Sequence, residues 1–141
     1  MDLIVQQLIN YLRANSREPT ASLARKLGIS RTTVEDRISR LERRKIIEGY
    51  TIRFHGDYAQ RLISAHVMIQ VQPWQTARIN ASLSNIPTIR TLHAVSGQFD
   101  LIAVLQAETT EEIDRSLDII GNLAGVEKTM SSVVLSTRFE R

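Results

Sequence analysis

Apolar residues near the start of the chain recur every three or four positions, the spacing of one buried helix face. The first run, 3–12, is ended by polar residues and Pro19. A second, shorter run occupies 20–27, with Thr20 as its expected N-cap. Gly28 follows as the expected left-handed residue at the C-terminus. The pattern therefore predicts two helices before position 29.

A third helix is predicted from Ser30, a good N-cap, to about Arg44. Its expected buried face carries Val34, Ile38 and Leu41. Three helices, of which the last two are joined by a short turn containing Gly28, are typical of a helix-turn-helix. Segment 46–52 is rich in β-forming residues and predicts a short strand, or wing, after the third helix.

In the second half of the chain the apolar residues alternate with polar ones, as in half-buried strands. The predicted strands are 62–71, 89–96, 101–107 and 126–137. A helix opened by Pro73 and ended near Pro87 separates the first two strands. A second helix, capped by Thr109 or Thr110 and ended by Gly125, separates the last two.

The order of these elements predicts an α+β protein. A winged helix-turn-helix at 1–52 is joined by a linker at 53–61 to a ferredoxin-like βαββαβ sandwich at 62–141. In such a sandwich both helices cover one face of a four-stranded antiparallel sheet. The other face must also be hidden from water, and we therefore expect a homodimer.

The charge is divided unevenly between the two halves. The whole chain of 141 residues carries a formal net charge of only +3. Residues 1–61 hold 12 Lys or Arg against 7 Asp or Glu, whereas residues 62–141 hold 6 against 8. A basic half joined to a mildly acidic one indicates a nucleic-acid-binding part next to a part of another kind.

Several classes of protein are excluded or disfavoured by composition. The absence of cysteine excludes a disulfide framework, a thiolate zinc site and a cysteine nucleophile. The longest apolar run, 101–105, is far shorter than the roughly 20 residues that span a bilayer. The segment Met1-Asp2-Leu3 lacks the basic start of a signal peptide. We expect a cytoplasmic protein with no membrane segment.

The third predicted helix carries the candidate residues for DNA. In a helix-turn-helix the N-terminal part of this helix meets base edges, which favours Arg31, Thr32, Thr33 and Arg37 as base contacts. Arginines further along the helix are better placed for phosphates. The candidate DNA-binding set is Thr20, Ser22, Ser30, Arg31, Thr32, Thr33, Arg37, Arg40 and Arg44. The alternative is a helix face charged only for solubility, which the helix-turn-helix spacing and the basic half disfavour.

No catalytic set is evident in the second half. His66 and His93 each lie in a predicted strand, where a single histidine is usually structural, although His93 is close enough to the turn at 97 to face a ligand. Trp74, at a helix start, is interpreted as a packing residue. Asp100 is either a turn residue or strand-end cap, or a carboxylate that recognises a ligand amine. Both interpretations of Asp100 remain open.

Short motifs occur in both halves of the chain. The first half carries Leu23-Ala24, Gly28-Ile29-Ser30, Arg37-Ile38, Arg40-Leu41-Glu42 and Ile47-Glu48-Gly49-Tyr50. The second carries Val95-Ser96-Gly97-Gln98-Phe99-Asp100, then Gly125-Val126, Thr129 and Ser131-Ser132. In order and spacing these motifs resemble those of the Lrp/AsnC family of bacterial and archaeal regulators, over essentially the whole chain. The chain departs from that pattern at Lys45, where the family has Gly, and at Gln98 and Phe99.

The resemblance implies a C-terminal ligand-sensing domain whose sheets form dimers, often assembled further into tetramers or octamers. It also implies that the effector is an amino acid bound between C-terminal domains. Gly97 would let the backbone approach a carboxylate, and Asp100 and the serines would accept hydrogen bonds from an ammonium group. The candidate effector-binding set is His93, Gly97, Gln98, Phe99, Asp100, Ser131 and Ser132.

The sequence thus predicts a transcription regulator that binds double-stranded DNA and responds to a small effector, without enzymatic activity, cofactor or metal. One alternative is an enzyme similar to tetrapyrrole decarboxylases that resemble this family, with His93 as the reactive residue. The lack of a second clustered histidine disfavours it. The other is an oligomeric ligand-binding module that does not bind DNA, which the retained Arg31, Arg37 and Arg40 disfavour.

Overall fold

The computed structural model describes residues 2–59 and 61–141, so residue 1 and residue 60 of the predicted linker lie outside the described part. The chain separates into two compact units, Met1–Arg53 and Phe54–Arg141. The first unit contains the three predicted helices, which are α1 (Leu3–Ala14), α2 (Thr20–Leu27) and α3 (Arg31–Arg43).

Side chains cap the N-termini of α1 and α3. Asp2 Oδ1 accepts a hydrogen bond of 2.8 Å from the Val5 N–H, and Ser30 Oγ accepts one of 3.1 Å from the Thr33 N–H. Each bond satisfies one of the backbone donors that a helix leaves free in its first turn. The prediction of Ser30 as an N-cap is confirmed.

The prediction of Thr20 as the N-cap of α2 is wrong. Pro19 occupies that position, with φ −59° and ψ 142°, and Thr20 is the first helical residue. The Pro19 carbonyl accepts the Leu23 N–H at 3.1 Å and so begins the helix. Proline has a fixed φ that suits a helix start, whereas a side-chain cap is only one of several ways to begin a helix.

The core of the first unit brings one face of each helix together. The buried residues are Leu8, Leu23, Ala24, Val34 and Leu41. Ile38, expected to be buried, is only partly so and packs at the edge of this cluster. Between α2 and α3, Gly28 adopts the predicted left-handed conformation, with φ +68°.

The predicted wing is absent, because 46–52 forms no strand in the described structure. Its backbone is instead tied back to α3, since the N–H groups of Ile46 and Ile47 both donate to the Leu41 carbonyl, at 2.9 and 3.2 Å. The three helices of this unit offer no extended partner, and a strand needs a partner for its hydrogen bonds. High β-propensity alone therefore gave the wrong prediction here.

The turn after α3 requires a left-handed residue, and this chain uses lysine. Lys45 has φ +57° and is the one non-glycine residue with positive φ in the described part of the chain. This conformation ends the helix and returns the chain toward Leu41. A lysine at this position, where the resemblance noted above leads us to expect glycine, thus places a side chain in a conformation that costs roughly 1–2 kcal/mol.

The second unit has a short helix near its start, α4 (Gly56–Ala59), where the sequence predicted only a linker. The βαββαβ order that follows is the predicted one. Its elements are β1 (Ile63–Val71), α5 (Thr76–Ser84), β2 (Ile89–Ala94), β3 (Leu101–Ala107), α6 (Thr110–Gly121) and β4 (Val126–Val133). A 3₁₀ turn at Pro73–Gln75 leads into α5.

The four strands form one antiparallel sheet in the order β2-β3-β1-β4. Alternate residues of β1 and β3 are buried against α5 and α6. The principal side chains of this core include Val67, Ile69, Leu105, Ile79 and Ile120. Both helices therefore cover the same face, as predicted for a ferredoxin-like sandwich.

The opposite face of the sheet, here called the open face, carries two rows of side chains across all four strands. The strand register gives one row as His93, Ile102, Met68 and Met130, and the next as Thr91, Val104, His66 and Ser132. No helix among the described residues of this unit contributes to the core from this side. The face remains partly apolar and partly exposed.

Several of the predicted strand and helix ends differ from the observed ones. β4 stops at Val133 rather than at 137, although one more hydrogen bond follows it, from the Val134 N–H to the Ser64 carbonyl of β1 at 2.8 Å. β2 stops at Ala94 rather than at 96. α6 is capped by Thr109, whose Oγ1 accepts the Glu112 N–H at 3.2 Å, and the helix ends at Gly121 instead of Gly125.

Within the described residues, no helix is long and apolar enough to span a membrane.

Candidate functional site

The face of α3 opposite the core forms an exposed column. Val34 and Leu41 are buried, and residues two positions away from either lie about 160° round the helix, since each residue turns about 100°. These residues are Thr32, Asp36, Ser39 and Arg43, and all four are exposed. In a helix-turn-helix, this exposed column is therefore the part of α3 that would face DNA.

Two predicted contact residues, Ser30 and Thr33, already serve the helix start. Ser30 Oγ accepts the Thr33 N–H, and the two hydroxyl oxygens lie 2.8 Å apart in a second hydrogen bond. Thr33 is also partly buried. These hydroxyls fix the geometry of the turn, which positions α3.

Arg37 is held on the flank of α3 by an acid from α1. Its Nη1 lies 2.7 Å from Asp2 Oδ2, while the other oxygen of Asp2 caps α1. The Val5 N–H and the Arg37 guanidinium together lower the pKa of the Asp2 carboxyl. Arg37 retains 28% of its side-chain exposure, so the pair joins the start of α1 to α3 near the surface.

Ser22 belongs to a second local network, which surrounds Glu18. Its hydroxyl donates to Glu18 Oε1 at 2.9 Å, and Lys26 forms an ion pair with the same oxygen. Lys26, and then Ser22, lower the pKa of Glu18. The network braces α2 against the turn that precedes it, whereas Thr20 lies at the helix start, partly buried.

The remaining predicted DNA contacts, Arg31, Thr32, Arg40 and Arg44, are all exposed. None of the four has an ion pair or a side-chain hydrogen bond within residues 2–59 and 61–141. Their charges and hydroxyl are therefore available to a partner outside the chain.

A cavity of about 470 Å³ runs beside α3, between the start of α1 and the residues that follow α3. Its lining residues are Asp2, Val5, Thr33, Asp36, Arg37, Arg40, Leu41, Arg44 and Ile46. Three arginines thus stand along the flank next to the exposed column. Guanidinium groups in such an arrangement suit phosphate oxygens.

The candidate effector loop, 97–100, joins β2 to β3. Gly97 has φ +126°, a conformation that side chains rarely adopt, and it is exposed. Asp100 closes the end of the sheet, because its Oδ2 accepts the Val71 N–H at 2.8 Å and its own N–H donates to the Ile69 carbonyl at 2.9 Å. β3 begins only at Leu101, so Val71 lies beyond the ladder between β1 and β3, and Asp100 supplies the missing acceptor on that side.

Phe99 brings this loop close to the start of β4. The Lys128 ammonium lies 6.0 Å from the centre of the Phe99 ring, at the limit of a cation–π contact. Gln98 beside it is exposed. The loop thus presents a glycine and an amide, next to the cation of Lys128, at one end of the sheet.

The other predicted effector residues lie apart within one chain. His93 is on edge strand β2, whereas Ser131 and Ser132 are on the opposite edge strand β4, three strand spacings or roughly 14 Å away. Ser132 shares the open face with His66, and Ser131, opposite the buried Val67, faces the other way. A single sheet therefore does not assemble this set into one site.

Several residues that contribute to these regions were not among the predicted site residues, namely Asp36, Ser39 and Arg43 of the exposed column, and also Asp2 and Lys128. Asp2 could have been found from its place before the first apolar run, where an N-cap is expected. No sequence signal pairs Lys128 with Phe99, because their contact depends on sheet order. No group of three or more His, Asp or Glu suited to a metal occurs among the residues that the structure describes.

Comparison with known families accounts for both units. Residues 1–42 match the AsnC-type helix-turn-helix domain, and residues 64–141 match the Lrp/AsnC ligand binding domain. The chain belongs to the Lrp/AsnC family. It is thus a Lrp/AsnC-type transcriptional regulator, with a helix-turn-helix domain and a ligand-binding domain.

Individual relatives agree with the Lrp/AsnC assignment over nearly the whole chain. An uncharacterized HTH-type transcriptional regulator of Pyrococcus horikoshii is 33% identical and aligns over 97% of this chain and 94% of its own. The feast or famine regulatory protein of M. tuberculosis, solved in complex with L-methionine, is 28% identical with a TM-score of 0.86, covering 99% and 95%. E. coli AsnC, at 17% identity, shares the fold with a TM-score of 0.87, covering 100% and 96%.

Proposed function

We propose that this regulator binds specific DNA sites through the exposed side of α3, and that its second unit dimerises and binds an amino acid. The observation that supports DNA binding best is the set of exposed side chains on α3 and its C-cap that have no partner among the described residues, which includes Arg31, Thr32, Arg40 and Arg44. Arg31 and Thr32 lie at the N-terminal end of the helix, where base edges are read. Arg40 and Arg44 stand further along, where the cavity flank suits phosphates.

The test is a mobility-shift titration with DNA from upstream of the protein's own gene, at several salt concentrations. We expect wild type to bind with a steep salt dependence, since phosphate contacts release counterions. Arg31→Ala should lose specific affinity by about tenfold or more. Arg115→Ala, an exposed arginine of α6, is the matched control and should bind as wild type does. Equal binding by all three proteins, or no binding at low salt, would contradict the proposal.

The open face supports dimerisation. Met68, Ile102 and Val104 form its apolar centre, and an apolar sheet face in water favours association with a second copy. A dimer would present two copies of α3, so we expect a pseudo-palindromic site with half-sites about one helical turn apart, or a multiple of that distance. We also propose that these dimers assemble further into tetramers or octamers. Residues 53–61 are proposed as the linker between the two domains.

The 97–100 loop supports an amino-acid effector. Gly97 exposes its backbone, and the Lys128 ammonium stands next to Phe99, so a carboxylate could be held by backbone and cation together. The M. tuberculosis relative was solved with L-methionine. Because His93 and the β4 serines lie far apart in one chain, we place the complete site between two copies.

A thermal-shift screen against the twenty amino acids tests the effector proposal. A ligand that binds only the folded protein raises the unfolding midpoint, by an amount that grows with concentration. We expect one or a few amino acids to give such a shift and Lys128→Ala to weaken it. A flat screen, with DNA binding intact, would contradict the amino-acid effector and leave the DNA-binding proposal standing.

A further inference from the structure

Asp36 is the acidic member of the exposed column on α3. It lies two residues after the buried Val34, about 160° round the helix, and is exposed. It has no ion pair or side-chain hydrogen bond with any other described residue of the chain. Thr32, one turn earlier, and Ser39, nearly one turn later, share its side of the helix.

A carboxylate in this place is unfavourable for general attraction to DNA. The side of α3 that enters a groove approaches two rows of phosphates, and a negative charge there opposes the electrostatic part of binding. Solubility does not require the charge, since α3 also carries Arg31, Glu35, Arg40 and Arg43 at exposed positions. On DNA, an acid at the centre of the column becomes favourable where a base offers it a hydrogen-bond donor.

Base-edge chemistry then selects the partner. An ionised carboxylate only accepts hydrogen bonds. In the major groove guanine shows two acceptors and thymine shows one, so both would repel the charge, and adenine sets its amino donor beside the N7 acceptor, which weakens its attraction for a carboxylate. Cytosine shows its N4 amino group and fits. We propose that Asp36 contacts cytosine N4 at one position of each half-site and is a specificity-determining residue of this regulator.

The inference rests on the proposed DNA-binding function, and Glu35 provides a matched control. Glu35, the residue before Asp36, carries the same charge. It lies only about 100° from the buried Val34 and so faces away from the centre of the column. Removing either charge should raise non-specific affinity to a similar extent. Only the change at Asp36 should alter which base is preferred.

The experiment selects bound duplexes from a randomised pool with wild type, Asp36→Asn, Asp36→Ala and Glu35→Gln, and sequences them. We expect wild type and Glu35→Gln to yield the same motif with one cytosine-selective position. Asp36→Ala should relax that position by about tenfold, and Asp36→Asn should shift it toward adenine, which an amide matches. All four proteins should keep wild-type circular dichroism, because the side chain is exposed and unpaired.

Three outcomes would overturn the inference. They are a wild-type motif without a cytosine-selective position, an unchanged motif for both Asp36 variants, and a motif that Glu35→Gln alters in the same way. A wild type that enriches no motif would instead contradict the proposed function. The two failures are thus distinguishable within one experiment.

Discussion

Polar side chains that look alike in the sequence divide into two groups in the structure. In the first group, Ser30 and Thr33 form the hydrogen bonds that cap α3, and Arg37 pairs with Asp2. In the second group, Arg31 and Thr32 have no side-chain partner among the described residues. The sequence indicated all five as DNA contacts because residue type and helix position are the same for both groups. What separates them is the neighbour that the folded chain supplies, such as Asp2 for Arg37.

Ser30→Ala tests the capping role. The substitution removes the acceptor for the Thr33 N–H and the partner of the Thr33 hydroxyl, so we expect a loss of about 1 kcal/mol in the free energy of unfolding. Urea denaturation measures it. Ser39→Ala, at an exposed position of the same helix, should change stability by less than about 0.5 kcal/mol. Equal effects would show that the cap contributes nothing.

Asp2→Asn tests the pair with Arg37 through pH. Asparagine still caps a helix, so the variant removes the charge rather than the cap. The pKa of Asp2 is lower in the folded protein than in the unfolded chain. The ionised carboxylate therefore stabilises the folded protein at pH values above the unfolded pKa, and this stabilisation is lost as the pH falls through the folded pKa.

We therefore expect a lower urea midpoint for Asp2→Asn than for wild type at pH 6. The two midpoints should converge as the pH falls below about 4, the pKa of a free aspartate. Asp36→Asn, which removes an unpartnered carboxylate, is the control. A constant difference between wild type and Asp2→Asn across this range would contradict the ion pair.

At the scale of the element, both α2 and α3 are followed by a residue in left-handed conformation. The position after α2 is Gly28 with φ +68°, and Lys45, two positions after the end of α3, has φ +57°. The sequence predicted the first because glycine favours this conformation. It did not predict the second, since lysine itself does not favour this conformation, and hydrogen bonds to Leu41 hold the turn.

Gly28→Ala should destabilise the protein by about 1 kcal/mol. No atom lies within 4 Å of the added Cβ, so the cost comes from the backbone conformation alone. Thermal or urea unfolding measures the change. Gly49→Ala, an open position without a positive φ, is the control and should be neutral or slightly stabilising. A neutral Gly28→Ala would contradict the left-handed turn.

Lys45→Gly should change stability in the opposite direction and stabilise the protein. Glycine removes the strain of the left-handed lysine, worth roughly 1–2 kcal/mol, but gains freedom in the unfolded chain, so we expect a net gain of about 0.5 kcal/mol. Glu48→Gly, three residues later with no positive φ, should destabilise or be neutral under the same unfolding measurement. A destabilising Lys45→Gly would show that the lysine side chain has a favourable role there.

At the scale of the whole molecule, the open face is the feature with most consequence for the proposed dimer. Met68→Glu adds a charge to the centre of its apolar row, and a charge without a partner is costly to bury. We expect sedimentation equilibrium to give a monomer mass for this variant and at least a dimer mass for wild type. Asn80→Glu, exposed on α5, adds the same charge elsewhere and should leave the mass unchanged. A Met68→Glu dimer with native circular dichroism would contradict the proposed interface.

The sequence by itself determined the helix-turn-helix, the βαββαβ order and the basic and acidic halves. Apolar periodicity, capping residues and charge are local properties of the chain, so they can be read without a structure. Only the tertiary structure decided that 46–52 forms no strand, that Arg37 pairs with Asp2, and that His93 and the β4 serines stand on opposite sheet edges. Each depends on which distant residue becomes a neighbour, because strand pairing, ion pairing and the assembly of a site all require a partner in space.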